Sequence, residues 1–257
     1  MVQMARARFF ALTMLLFGLA MGLMACQSPS TSVESPQAPT FQIEPTRPIV
    51  ELRREAVAAS PPAEEGEFLP PALVELSSLD PTLQFDIRYA TAHNFLGTPV
   101  YEKPMAFLER PAALALLAAH RELSERGLGL LIFDAYRPWF VTKIFWEATP
   151  EELREYVADP ANGSRHNRGC AVDVTLCSLS TGRPLPMPSG YDEFSERAHI
   201  DFPGGSEETR RNRDLLQDVM QRHGFLSYSS EWWHFDFHDW KRYPILNVSF
   251  ESLSEER

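Results

Sequence analysis

The chain has 257 residues, with 24 Lys and Arg against 35 Asp and Glu for a formal net charge of -11, and only three cysteines. That acidic balance, with no basic stripe to offset it, argues against nucleic acid as a partner. The length leaves room for one ordinary domain with a substantial core, and no internal repeat is apparent.

Arg6 and Arg8 precede an apolar run from Phe9 to Leu23, which ends at Met24-Ala25-Cys26. This order of basic, apolar and small residues predicts a signal peptide over residues 1–25 and hence export. At about 15 residues, broken by Gly18 and Gly22, the run falls short of the roughly 20 needed to span a bilayer. Leu23-Met24-Ala25-Cys26 resembles the bacterial lipobox, in which the cysteine exposed by cleavage carries lipid. Cys26 is therefore expected to anchor the mature chain to a membrane on the periplasmic side of the cell envelope, with plain secretion as the second reading. Cleavage removes two Arg and no acid, so the charge goes from -11 to -13. Residues 26–69 are rich in Pro, Ser, Thr and Glu and are expected to form a disordered tether, leaving 70–257 as the folded domain.

Within that domain, Leu83 to Tyr89 alternates apolar and polar residues as a half-buried strand does. Arg110 to Arg126 reads as a helix, with Pro111 at its start and Gly127 at its end. Leu128 to Phe133 is apolar on both faces, which suits a central strand, and delivers Asp134-Ala135-Tyr136-Arg137-Pro138 at its end. Residues 138–148 look helical, and Thr149-Pro150-Glu151-Glu152 has the cap, proline and acid of another short helix. Ser206 is expected to cap a helix from Glu207 to about His223, closed by Gly224. Cys170 and Cys177 have opposite parity along a strand, which points to two buried free thiols rather than a local disulfide.

Two segments carry the chemistry: Ser164-Arg165-His166-Asn167-Arg168-Gly169-Cys170-Ala171-Val172-Asp173 and Glu231-Trp232-Trp233-His234. Together they supply two imidazoles, one carboxylate ligand and one spare carboxylate, the inventory of a catalytic zinc site. His166, Asp173 and His234 would hold one Zn²⁺, with Glu231 as base. A two-His, one-carboxylate iron site would leave Glu231 without a task. In Cys170 to Leu176 the even positions form an apolar face, so Asp173 points the other way with Ala171 and Thr175. His166 lies an odd number of residues earlier and needs a turn at Asn167-Arg168-Gly169 to aim at the same ion. His234 and Asp236 likewise oppose Trp233, Phe235 and Phe237, and Glu231 must sit at a bend. Arg137, at a strand end, either stabilises an oxyanion beside the metal or pairs with a surface acid. Trp232, Trp233 and Trp240 suit core or cleft wall; His93, His120, His199, His223 and His238 are left ordinary surface or packing roles.

Asp86-Ile87-Arg88-Tyr89-Ala90-Thr91-Ala92-His93-Asn94-Phe95, Asp134 to Pro138, Ser164 to Asp173, Tyr191-Asp192-Glu193-Phe194 and Glu231 to Phe235 resemble, in that order, the D-alanyl-D-alanine dipeptidases of the vancomycin-resistance type. The resemblance implies an α+β fold, a small antiparallel sheet flanked by helices, shared with D,D-carboxypeptidases and the Hedgehog signalling domain. It implies a zinc dipeptidase in which His166, Asp173 and His234 match the ligands, Glu231 the base and Arg137 the arginine that stabilises the intermediate. Tyr89 and Asp192 match residues that receive the substrate's amino group, and Ser164 one that lies beside the bound dipeptide. His93 stands where such proteins usually have Asp, and Met187-Pro188-Ser189-Gly190 replaces a more typical Met-Gly-Ser/Thr loop. The expectation is a lipid-anchored envelope enzyme that hydrolyses D-Ala-D-Ala. Its rivals are a carboxypeptidase on longer wall peptides and a non-catalytic peptidoglycan-binding lipoprotein.

Overall fold

The computed structural model describes residues 40–255. These form the helices Ile49–Ala58 (α1), Arg110–Ser124 (α2), Trp139–Ala148 (α3), Glu207–Arg222 (α4) and Phe250–Glu255 (α5). The strands are Leu73–Glu75 (β1), Gln84–Phe85 (β2), Phe107–Glu109 (β3), Leu128–Asp134 (β4), Ala171–Ser178 (β5), Phe225–Tyr228 (β6) and Glu231–Phe237 (β7). The signal peptide and the lipid-bearing Cys26 expected from the sequence lie outside the described residues. No helix among the described residues is long and apolar enough to cross a membrane.

Five strands pair in the order β2-β4-β5-β7-β6, and β1 pairs with β3 in a separate antiparallel ribbon. The α+β class holds, but the main sheet is mixed rather than antiparallel, because β2 runs parallel to β4. A crossover through β3 and α2 imposes that direction. The strand expected over residues 83–89 is correspondingly short. The chain leaves the ladder after Asp86, whose carboxylate accepts from Arg88 Nε at 2.7 Å, and turns into a 3-10 helix, Arg88–Ala90, that carries Tyr89 inward. α2 and α4 pack on each other and on the sheet, and Tyr136, Phe107, Trp232, Phe225 and Phe235 fill the core.

Ser206 caps α4 as expected, its Oγ accepting the Thr209 N–H at 3.1 Å. Thr149 behaves differently: its hydroxyl donates to the Phe145 carbonyl and so closes α3 instead of capping a new helix. Residues 151–156 form a 3-10 helix without a side-chain cap. Cys170 and Cys177 are buried free thiols.

The tether expected over residues 26–69 is corrected for its described part, residues 40–69, which are packed on the body. Ile49, Leu52 and Ala56 recur at helical spacing and seat α1 against α3. The Ile43 N–H donates to the Phe95 carbonyl and Thr46 N–H to that of Ala148. Phe41 packs on Phe194 with ring centroids 4.9 Å apart. Glu64 accepts from Arg168 and from the Ile245 N–H. The abundant prolines and acids of this arm conceal its short apolar stripe.

Gly169 ends the turn that precedes β5 with φ +63, and a Cβ there would stand 2.4 Å from Leu73 Cδ2 and 3.3 Å from the Glu109 amide nitrogen. Gly169→Ala is therefore expected to lower stability by about 1–3 kcal/mol. A urea midpoint that moves down at constant slope checks this; an unmoved midpoint would show that the turn relaxes freely.

Candidate metal centre and cleft

The register of the sheet sets three polar residues in a row. Asp134 of β4 pairs with Asp173 of β5, which pairs with His234 of β7. His166 reaches the same point from the 3-10 turn His166–Arg168, which supplies the reorientation that strand parity demands. The second bend is present as well. Ser227 faces Phe235 but Tyr228 faces Glu231, so one step along β6 spans four along β7. This bulge brings Glu231 Oε2 to 3.7 Å from His234 Nδ1.

His166 Nε2 lies 3.1 Å from His234 Nδ1, His234 Nδ1 lies 3.1 Å from Asp173 Oδ1, and His166 Nε2 lies 3.4 Å from that same oxygen. Tetrahedral Zn²⁺ with bonds of about 2.0–2.1 Å has ligand-to-ligand edges of about 3.3 Å. The outward atoms of all three residues are occupied. His166 Nδ1 donates to the Ala135 carbonyl at 2.7 Å, His234 Nε2 donates to Asp236 at 2.9 Å, and Tyr191 OH donates to Asp173 Oδ2 at 2.9 Å. Since a carbonyl only accepts, His166 must carry its proton on Nδ1, and Asp236 fixes His234 likewise on Nε2. Three ligand atoms therefore converge on one point, an arrangement that repels itself unless a proton or a metal cation sits there, and with both imidazoles neutral the residues fit a metal ion. Burial opposes charge on Asp173, but the two imidazoles, His166 foremost, hold its carboxyl well below the usual range.

Arg137 faces this point instead of the surface. Its Nε and Nη2 both bond Asp134 Oδ2, at 3.0 and 2.8 Å, and Nη2 lies 3.9 Å from Asp173. Tyr101 OH donates to the other Asp134 oxygen at 2.7 Å. The guanidinium sits over the rings of Tyr89 and Phe145.

A cleft of about 220 Å³ opens beside the triad, lined among others by Tyr89, Ser164, Asp192, Glu231 and Trp233. Tyr89 OH donates to Asp192 Oδ1 at 3.0 Å, while Asp192 Oδ2 is buried without a hydrogen-bond partner among the described residues. Asp192 itself adopts φ 57, a left-handed conformation that aims it inward from its loop. Burial, reinforced by Asp173, pushes its carboxyl well above the usual range, and burial also raises that of Glu231. Ser164 lines the cleft and its Oγ accepts the His166 N–H at 3.2 Å, steadying the turn.

All the candidate residues from Tyr89 to His234 thus meet at one cleft. Three contributors were not singled out from the sequence: Asp134, Tyr191 and Asp236. Asp236 shares strand parity with His234, and Asp134 stands three residues before Arg137, so both left a local signal; Tyr191 left none. His93 is exposed and does not line the cleft. Ser189 of the altered loop accepts from Trp232 Nε1 at 2.8 Å, tying that loop to the core. His120 is structural, accepting the Leu130 N–H.

Two imidazoles and a carboxylate converging beside a free carboxylate, on an α+β scaffold, make up the donor set of a metal-dependent hydrolase. A family model for D-ala-D-ala dipeptidase, peptidase M15, matches residues 71–251. The chain belongs to that family and is a metallopeptidase. A D-alanyl-D-alanine dipeptidase of Escherichia coli strain K12 is 38% identical over 178 residues, covering 69% of this chain and 91% of its own length. One of Enterococcus faecium is 36% identical over 186 residues, covering 65% and 92%. One of Streptomyces coelicolor is 32% identical over 171 residues, covering 60% and 85%. The solved LdcB LD-carboxypeptidase superposes on 54% of this chain and 63% of its own at 20% identity, with a TM-score of 0.37, below that of a shared fold.

Proposed function

We propose that this chain hydrolyses D-Ala-D-Ala with a single Zn²⁺ held by His166, Asp173 and His234. The observation that carries the reading is the convergence of three ligand atoms at 3.1–3.4 Å, each ligand fixed from behind by a second partner. Zinc, when bound, supplies Lewis acidity toward the scissile carbonyl and toward water. Glu231 takes the proton from the attacking water and returns it to the leaving amine. Arg137, clamped by Asp134, presents its guanidinium where negative charge grows on the carbonyl oxygen. The unpartnered Asp192 oxygen, with Tyr89 beside it, receives the substrate's ammonium, a pairing that favours free amino ends over acylated ones. Ser164 lies beside the dipeptide.

The same reading carries the kinship of the fold with D,D-carboxypeptidases and the Hedgehog signalling domain, and a role in salvage of peptidoglycan dipeptides. Export under residues 1–25 and a lipid on Cys26 hold the enzyme on a membrane in the cell envelope, a reading supported by Arg6, Arg8 and the Leu23 to Cys26 motif.

The test measures zinc content and compares D-Ala-D-Ala, L-Ala-L-Ala and N-acetyl-D-Ala-D-Ala, with and without chelator. Cleavage confined to the free D,D-dipeptide, lost with the metal and restored by zinc, is the expected result. Cleavage of the acylated substrate instead would move the cut to longer peptides, and a zinc-loaded protein that cuts none would remove the substrate assignment.

A further inference from the structure

A dipeptide carries a charge at each end, and Asp192 with Tyr89 accounts for only one of them. The carboxylate end needs a cation beyond the metal triad. Two guanidiniums line the cleft. Arg137 is engaged by Asp134 through two nitrogens and is buried with it, side-chain exposures being 9% and 1%. Arg165 is different. Its side chain is 39% exposed, its Nε lies 3.4 Å from Asp236 Oδ2, and its two terminal nitrogens make no hydrogen bond to protein among the described residues. The guanidinium carbon lies 5.5 Å from the Tyr228 ring centroid and 5.1 Å from that of Trp240. Two aromatic faces and one carboxylate thus hold a planar cation in place while leaving its fork of donors unspent. Nearby Arg168 is committed elsewhere, to Glu64 and the Tyr243 carbonyl.

Position agrees with chemistry. Arg165 adjoins the ligand His166 in sequence, and it shares Asp236 with the outward nitrogen of the ligand His234. Asp192 and Tyr89 stand at the other side of the triad, by Asp173 and Arg137. The cleft therefore has a carboxyl receptor on the Asp173 and Arg137 side of the ligand set, which ionises against an incoming ammonium, and a guanidinium receptor on the His234 and Asp236 side, the charge pattern of a short zwitterion bound with its peptide bond at the centre.

We propose that Arg165 is the receptor for the terminal carboxylate of the substrate, and that it makes the enzyme selective for dipeptides whose second residue ends the chain; this rests on the dipeptidase reading above. A guanidinium fork pairs a carboxylate through two parallel hydrogen bonds, which a carboxamide cannot match. Arg165 is preformed, so little ordering is required when substrate arrives.

The experiment compares the full protein with Arg165→Gln and Arg165→Lys on D-Ala-D-Ala and its C-terminal amide, with zinc content and unfolding midpoint measured on each. The native enzyme is expected to prefer the acid. In Arg165→Gln the kcat/KM for the acid should fall about 10–100-fold, mostly through KM, while the amide changes little, so the preference collapses with zinc still stoichiometric. Arg165→Lys should recover part of the loss. An acid-to-amide ratio left unchanged in Arg165→Gln, or losses equal for both substrates, would overturn the proposal and assign Arg165 a structural role. A native enzyme that cleaves neither substrate would overturn the dipeptidase reading together with it.

Discussion

Glu231→Gln is expected to lower kcat on D-Ala-D-Ala by about 10²–10⁴-fold, the usual worth of a positioned general base, while leaving zinc bound at one ion per chain. The separation of these two effects follows from the geometry. Glu231 opens β7 at the bulge, its side chain 27% exposed in the cleft, and no protein donor among the described residues bonds its carboxylate. It stands beside the ligand cluster without belonging to it, since the three converging atoms come from His166, Asp173 and His234. An amide of the same shape keeps the contacts and loses the basicity. Loss of zinc along with turnover would recast Glu231 as a fourth ligand, and turnover within tenfold of the native enzyme would place the base elsewhere.

Arg137→Ala should damage both catalysis and stability. Removing one preorganised donor to a developing oxyanion costs about 10²–10³-fold in kcat. The same change strands the buried Asp134 carboxylate, which loses both Arg137 bonds and, among the described residues, keeps only the hydrogen bond from Tyr101. Breaking a buried pair by deleting one partner destabilises by about 3–5 kcal/mol. The double variant Asp134→Ala/Arg137→Ala removes the stranded charge and should regain much of that stability with none of the activity. Denaturant midpoints for the single and double variants, read as a cycle, measure the coupling. Equal midpoints for the two variants would mean that Asp134 holds a proton or finds another partner, and that the pair contributes position alone.

The metal set and Glu231 are readable as types and spacings, because they are short-range chemistry written in two compact segments, whereas Tyr89, Ser164 and Asp192 come into view only through the family resemblance. Strand parity goes further: it requires a turn after His166 and a bend at Glu231, and the fold has both, as a 3-10 helix ending in a left-handed glycine and as the β6–β7 bulge. What parity cannot reveal is partnership across the sheet. Asp134, Asp173 and His234 form a row only once β4, β5 and β7 are in register, and Tyr191 reaches Asp173 from a distant loop. Strand direction is equally hidden, since the alternation in Leu83 to Tyr89 is the same whether β2 runs with β4 or against it. The arm before residue 70 has the composition of a tether, and composition hides the fact that Ile49, Leu52 and Ala56 suffice to seat a ten-residue helix.

That arm has a mechanical meaning. The described chain begins at Thr40, and its neighbour Phe41 rests on Phe194, two positions from Asp192. Gln42 and Ile43 then bond the carbonyls of Ala92 and Phe95, on the segment that follows Tyr89. Phe41, Gln42 and Ile43 thus brace the wall of the cleft that carries Tyr89 and Asp192 rather than a remote surface. A single proteolytic cut between Ile43 and Ile49 would leave that brace attached to the body by its own contacts alone, so on the proposed function a distant nick in the arm is expected to loosen selectivity for a free amino end without touching a residue of the cleft.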